Sequence, residues 1–345
     1  MNPGAGEEMV VNSSAMVSPT SKQVARAERV LVIFPGALGD LICLGPALRA
    51  LARRHRDQAP GAALELMARA ELARFAVDRI GIARGHSIDR REVAALFAEN
   101  PDLIAAAGFF RPFMRIYSFF ASDDARFRRA LEAAAAPGAV SFHAFRPART
   151  GHVAAGYLDE IGERTAPPAS HPVGHLDAHI EVLPGDMAEA TQALVRLGLG
   201  DTRVVLLFPG SGSRHKNWPA ENFAALADAL PPPLRALVVL GPAESTLEPL
   251  FNARGIARLR DQPLSTIAGL ARLAAGFVGN DSGVSHLAAA AGAPGVAIFG
   301  PTDPDRWRPL GCVKVIRALP LSDLTPDAVM AVLREMVTGK MPEAS

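Results

Sequence analysis

Cysteine is nearly absent from this chain: Cys43 and Cys312 are the only two. Such a pair makes neither a disulfide framework nor a metal-ligand spacing, and a reducing compartment is the simple reading. An excess of charge of one sign is missing too. Lys and Arg number 36 against 35 Asp and Glu, a formal net charge of +1. No global field therefore argues for a nucleic-acid or membrane partner. No apolar run is long enough to cross a bilayer, because RVLVIFPGALGDLICLGPAL is broken by Gly, Pro and Asp. The first residues, MNPGAGEEMVVNSSAMVSPTSK, lack a basic segment followed by an apolar core. They read as a disordered leader over 1–27 rather than as a secretory signal. Solenoid-type repeats are also missing. Together these absences predict a soluble, cytoplasmic protein with no nucleic-acid partner.

What is present is length and alternation. The 345 residues suit roughly two domains of about 150 each. Hydrophobic residues make up 49% and charged residues 21%, enough to fill two cores. Short apolar runs such as RVLVIF, ALELMA (63–68) and RVVLLF read as strands buried on both faces. DLIAAAG (102–108) is read as a further strand. Leu41, Leu44, Leu48 and Leu51 recur at helical spacing, with Pro46 predicted to kink that helix or delay its start. GERTAPPASHPVGH (162–175) has Pro, Gly and Ser but no apolar period, which marks a linker. After it the cycle restarts: helix 188–197, strand RVVLLF, a helix with Pro219 in its first turn, strand ALVVLG, helix 265–274, strand GFVG, helix 284–291, strand GVAIFG and a last helix 325–336. The pattern predicts an α/β fold of two tandem parallel-sheet units, 28–165 and 179–345, joined by a linker at 166–178.

Ligands in such sheets sit beyond the carboxyl ends of the strands, and three exits are rich in polar residues. LVIFPGALGD (31–40) ends in Asp40 after Gly36 and Gly39. Position alone favours a helix cap for Asp40 over a catalytic role. VLLFPGSGSRHKNW (205–218) repeats the Phe-Pro-Gly and then offers Ser211, Gly212 and Lys216. These suit a phosphate or diphosphate, and a solvated glycine-serine loop fits equally well. FVGNDSGVSHLAAAAG places Asp281, Ser282 and Gly283 before a helix, with His286 one turn in. Its free N–H groups would face an anion, and Asp281 would bind hydroxyls or tether the loop. FGPTDPDRW (299–307) is a fourth polar exit, with Asp303 as the cap. The spacings match neither the dinucleotide fingerprint nor the P-loop. One half thus offers a carboxylate and the other offers phosphate donors, a division that suits a transferase whose two Phe-Pro-Gly exits face one cleft.

GALGDLICLGPALRAL, PGSGSRHKNWPAENFAALADAL and VGNDSGVSHLAAAAGAPGVAIFGPTDPDRW together resemble glycosyltransferase family 9, the lipopolysaccharide heptosyltransferases. The resemblance implies GT-B architecture: two Rossmann-like domains facing a central cleft, with the acceptor on the first and the nucleotide sugar on the second. It implies inverting transfer with no metal and no other cofactor, ADP-heptose as co-substrate, and a glycan or glycolipid acceptor. Asp40 matches the family's general base. Lys216, Ser211 and Gly212 match the diphosphate contacts, Glu244 the acid near the ribose, and Asp281, Ser282, Gly283 and His286 the second diphosphate loop. The basic residue common after the family's first strand is Phe34 here.

Gly39, Arg111 and Arg115 are candidates for the acceptor side. Arg111 and Arg115 lie in FFRPFMRIYSFF, which could rest on a glycolipid at the inner-membrane surface; a core-edge helix with snorkelling arginines is the plainer reading. Two rivals remain open at this point, a GT-B nucleotide-sugar epimerase and a non-catalytic nucleotide-sugar binding module.

Overall fold

A computed structural model describes residues 28–99, 103–148, 151–163 and 176–338. The expected leader and most of the expected linker fall outside the described residues. Two all-parallel sheets organise the chain. The first contains β1 (Arg29–Ile33), β2 (Ala63–Ala68), β3 (Arg84–Ser87), β4 (Arg115–Ser118) and β5 (Val140–Phe142), in the order β3-β2-β1-β4-β5. The second contains β6 (Arg203–Phe208), β7 (Leu234–Leu240), β8 (Ala257–Arg260), β9 (Gly276–Asn280), β10 (Gly295–Phe299) and β11 (Val313–Arg317). Their order is β11-β10-β9-β6-β7-β8.

Each sheet grows outward from its first strand and then reverses. β1 pairs with both β2 and β4, and β6 with both β7 and β9. At such a reversal the loops leaving adjacent strands diverge and open a crevice. The two Phe-Pro-Gly segments follow β1 and β6, so they occupy the same topological position in each unit. β9 and β10 are buried throughout, as expected for strands covered on both faces.

The first helix runs Leu38–Gln58 without a delayed start, and Pro46 lies inside it. Leu41, Leu44, Leu48 and Leu51 are buried, the face their spacing predicts. The expected strand at 102–108 is a helix instead, Leu103–Phe110. Its residues are alanine-rich, good helix formers, and Ala106 and Phe110 are buried one turn apart. A short apolar run carries no period that separates the two choices. Pro219 precedes the helix Ala220–Asp228 rather than sitting in its first turn.

One cluster of buried side chains crosses both units, from Val30, Phe34 and Leu44 through Ile180 and Leu194 to Phe208 and Leu287. Polar contacts reinforce it. Arg79 donates from Nε to Asp186 Oδ2 at 3.0 Å and also bonds Oδ1, and Asp186 accepts the Leu183 N–H as well. The chain after the linker is thereby fixed to both units: Glu181 N–H donates to Arg79 O and Arg49 reaches the carbonyls of Asp177 and His179 on the first-unit side, while Ile180 N–H donates to Ala290 O of the second.

A second buried charge lies within the first sheet. Glu65 accepts from Arg29 Nε at 2.7 Å, Arg29 Nη2 at 2.9 Å and His86 Nε2 at 2.6 Å. Burial opposes its ionisation, but the Arg29 and His86 hydrogen bonds outweigh that and hold the carboxyl down at about 2. The folded value lies below the unfolded one, about 4.3 for Glu. The stabilisation is therefore complete above roughly pH 5 and is lost as pH falls towards 2. Urea midpoints measured at pH 7, 4 and 3 should fall less steeply for Glu65→Gln than for the parent chain. Parallel curves would remove Glu65 as a source of acid sensitivity.

Candidate active site

The exits of β1 and β9 meet across the two units. The helix after β9, Gly283–Ala290, starts against the first turn of Leu38–Gln58. A Cβ placed on Gly283 would lie 3.0 Å from Leu38 Cβ and 3.1 Å from Gly39 N. The approach is close enough that a side chain there would have to push the neighbouring turn back by a few tenths of an ångström. A cavity of about 380 Å³ opens beside this contact, and Asp40, Lys216 and Ser282 all line it.

Asp40 is not the residue before its helix. The helix starts at Leu38, so Asp40 stands third within it, and its Oδ2 accepts the Ala37 N–H at 3.0 Å. It satisfies one of the open donors at the helix start, where the macrodipole favours negative charge. The same carboxylate also lines the cavity.

Lys216 ends a short 3-10 turn, Arg214–Lys216, and its Nζ donates to Asp281 Oδ2 at 2.8 Å. Asp281 thus tethers the opposite loop by accepting from the ammonium, which keeps further donors to offer. Asn280 locks the two loops together. Its Oδ1 accepts the Trp218 N–H at 2.9 Å, its Nδ2 donates to Pro209 O at 2.8 Å, and its carbonyl accepts Ser285 Oγ–H at 2.7 Å. Trp218 is buried and gives its indole N–H to Leu324 O, so the Lys-x-Trp spacing anchors the lysine's turn in the core. Ser211 Oγ–H is shared between Ser213 O and Asn217 Oδ1, holding the glycine-serine loop in shape.

A second cavity, about 320 Å³, continues from the first past Gly39, Gly212, Ser282 and Gly283. Phe208, Val239, Leu240 and Ile267 give it apolar walls, and Glu244 and Gln262 give it polar ones. Glu244 Oε2 accepts the Gly241 N–H at 2.9 Å. A Cβ on Gly210 would fall 2.3 Å from the Glu244 carboxyl group, so only glycine lets this acid close over the Phe-Pro-Gly loop.

Gly39, Asp40, Gly212, Lys216, Asp281, Ser282, Gly283 and His286 therefore border one cavity, and Ser211 and Glu244 border its extension. Arg111 and Arg115 are not brought to it. Arg115 pairs with Val30 at the amino end of the sheet and donates to Gly138 O, and Arg111 follows the helix Leu103–Phe110. The aromatics around them, Phe110, Phe113 and Phe119, are buried, as the core-edge reading of that segment has it. Arg146, Thr302 and Trp307 also line the cavity and were not singled out from the sequence. For Thr302 and Trp307 the available signal is FGPTDPDRW, whose Asp303 does cap its helix by accepting the Asp305 N–H.

His286 is enclosed. Burial, with Lys216 and His152 adding to it and Asp281 opposing, pushes its imidazole down to about 4. Among the described residues no group of three or more His, Cys, Asp or Glu is placed to hold a metal ion. No helix among them is long and apolar enough to cross a membrane.

Residues 171–325 match the family model for glycosyltransferase family 9 (heptosyltransferase). That stretch is just under half of the chain, and over it the chain is similar to this family. Solved members of this group share the whole fold. The glycosyl transferase family 9 protein of Veillonella parvula superimposes with a TM-score of 0.72 at 19% identity, over 90% of this chain and 97% of that one. The ADP-heptose lipopolysaccharide heptosyltransferase II of E. coli gives 0.67 at 18%, over 90% and 98%. E. coli heptosyltransferase WaaC with ADP gives 0.64 at 20%, over 89% and 99%. No curated protein matches the chain in sequence. The architecture is GT-B, and the enzyme class of the family is glycosyltransferase.

Replacing Asn280 by Ala would leave the Trp218 N–H and the Pro209 carbonyl without their partners. Each such buried loss costs about 1–3 kcal/mol. A clear drop in the denaturant midpoint of Asn280→Ala is expected, and an unchanged midpoint would show that water replaces the amide at no cost.

Proposed function

We propose that the chain is an inverting glycosyltransferase that moves a sugar, heptose from ADP-heptose, to a hydroxyl of a lipopolysaccharide-core-like glycan. The observation that carries this reading is that Asp40 from the first unit and Lys216 from the second border the same cavity. The occurrence of ADP with E. coli WaaC, a protein of the same fold, supports an adenine nucleotide on the donor side. In this reading 28–165 bind the acceptor and 179–345 the nucleotide sugar. The work is done at the cytoplasmic face of the inner membrane, with no metal among the working groups.

The nucleoside lies in the cavity beside Val239 and Ile267. Glu244 accepts from its ribose hydroxyls with the oxygen that Gly241 leaves open. The diphosphate reaches Lys216 and the N–H groups at Ser282–Gly283 and Ser211–Gly212, where a helix start and a small-residue loop favour anions. The acceptor hydroxyl enters on the Asp40 side and attacks the anomeric carbon opposite the diphosphate. Its proton passes to the Asp40 carboxylate as the new C–O bond forms. The bond to the diphosphate oxygen breaks, and the growing negative charge meets the Lys216 ammonium.

Incubation with ADP-heptose, with and without a glycan acceptor, separates transfer from epimerisation and from binding alone. ADP release that depends on acceptor is expected. Asp40→Asn and Asp40→Ala should lose roughly 10²–10⁴ in turnover, the usual worth of a positioned base. Near-normal turnover would leave Asp40 as a helix cap only. For Lys216→Ala, the loss of a charge-assisted contact should cost about 2–4 kcal/mol in kcat/KM; an unaltered value would exclude the lysine from the leaving-group site.

A further inference from the structure

Ser282 stands where the two cavities join, bordering both together with Gly39, Gly212 and Gly283. It is the N-cap residue of the helix Gly283–Ala290, yet its side chain accepts no N–H from that helix. The hydroxyl turns instead to Ser285, with the two Oγ atoms 3.1 Å apart. Either oxygen could donate at that distance, and the next contact decides between them. Ser285 Oγ lies 2.7 Å from the Asn280 carbonyl, an oxygen that only accepts. The single proton of Ser285 therefore goes to Asn280, and the proton between the two serines belongs to Ser282. Packing holds this order. Ser285 and Asn280 are fully buried, and Gly279 leaves the space for Ser285 Oγ, which lies 2.3 Å from where a Cβ on that glycine would stand.

A hydroxyl has one proton and two lone pairs. With the proton of Ser282 directed inward and no helix N–H drawing on its oxygen, only acceptor capacity remains for a ligand. Such an oxygen repels a phosphate oxygen, which also only accepts, and suits a ligand hydroxyl. The main-chain N–H groups of the same loop are the donors that suit phosphate. Turning the Ser282 proton outward would leave two buried oxygens 3.1 Å apart with no hydrogen between them, the loss of a hydrogen bond.

We propose that Ser282 reads the sugar of the donor: its Oγ accepts a hydrogen bond from the hydroxyl at C2, the carbon next to the anomeric centre. This rests on the transfer reading, in which the nucleoside fills one cavity and Asp40 borders the other. The anomeric carbon then lies at the junction, beside Ser282. The hydroxyl on the adjoining carbon is the nearest donor the sugar can offer there.

Calorimetry without acceptor tests recognition apart from chemistry. The parent chain should bind ADP-heptose roughly 2–10-fold more tightly than the analogue with fluorine in place of the C2 hydroxyl, the worth of one hydrogen bond. Ser282→Ala should bind the two alike, with the loss falling on ADP-heptose. ADP itself should bind the parent and Ser282→Ala equally, since alanine keeps the main-chain donors. Ser285→Ala frees the Ser282 proton to turn outward and should narrow the preference as well. Equal affinities for both donors in the parent chain, a preference that survives Ser282→Ala, or a fall in ADP affinity in that variant would overturn this inference alone. A parent chain that binds no ADP-heptose would overturn the function proposed above and this inference with it.

Discussion

Two helix starts meet at the cavity with little between them but main chain. Gly283 faces Leu38 and Gly39 at a spacing that one further carbon would crowd, so the loop after β9 and the turn carrying Asp40 lie close together. Every other feature of the site takes its position from that approach. Lys216 is placed against Asp281, Asp281 precedes Gly283, and Asn280 fixes both to the exit of β6. Side chains with many rotamers thereby act from a frame with few degrees of freedom, which is what a reaction needing an acid–base group and a cation at fixed separation requires.

The frame explains why a carboxylate sits beside a lysine where a polyanion is to be held. Asp281 is buried and Lys216 is one-third exposed. The acid consumes one ammonium proton and aims the others outward. Removing a buried charge's partner is costly, whereas the pair together gains little net stability. The contact therefore fixes direction more than it stabilises the fold.

Much of this was legible in the sequence, and the parts that were not share a cause. Short apolar runs announce β1, β2, β6, β7, β9 and β10, and glycines after β1, β6, β7 and β10 mark exits. β3, β4 and β5 carry RGHS, RIYS and VSF, short and only partly buried, with no run to read. The helix Leu103–Phe110 reads equally as a strand because its run is short and apolar throughout, with no polar residues to set a period. Asp40 was placed one turn too early, since Ala37 and Leu38 give no sign that the helix has already begun. Arg111 and Arg115 stood out by type, but the register of β4 sends Arg115 to the far end of the sheet. Arg146, Thr302 and Trp307 reach the cavity only because segments distant in sequence cross there, and no local spacing encodes a crossing.

The continuous cluster that links Val30 and Phe34 to Leu194, Phe208 and Leu287 has a consequence for how the molecule comes apart. Each unit keeps one buried cluster of its own, around Trp218 and Phe223 in the second and around Phe110 and Phe127 in the first, but separating the sheets would expose the shared apolar face on both sides. Units joined by a small polar interface melt one after the other. Here the shared interior couples them, and heat should meet one cooperative transition in which both sheets are lost together.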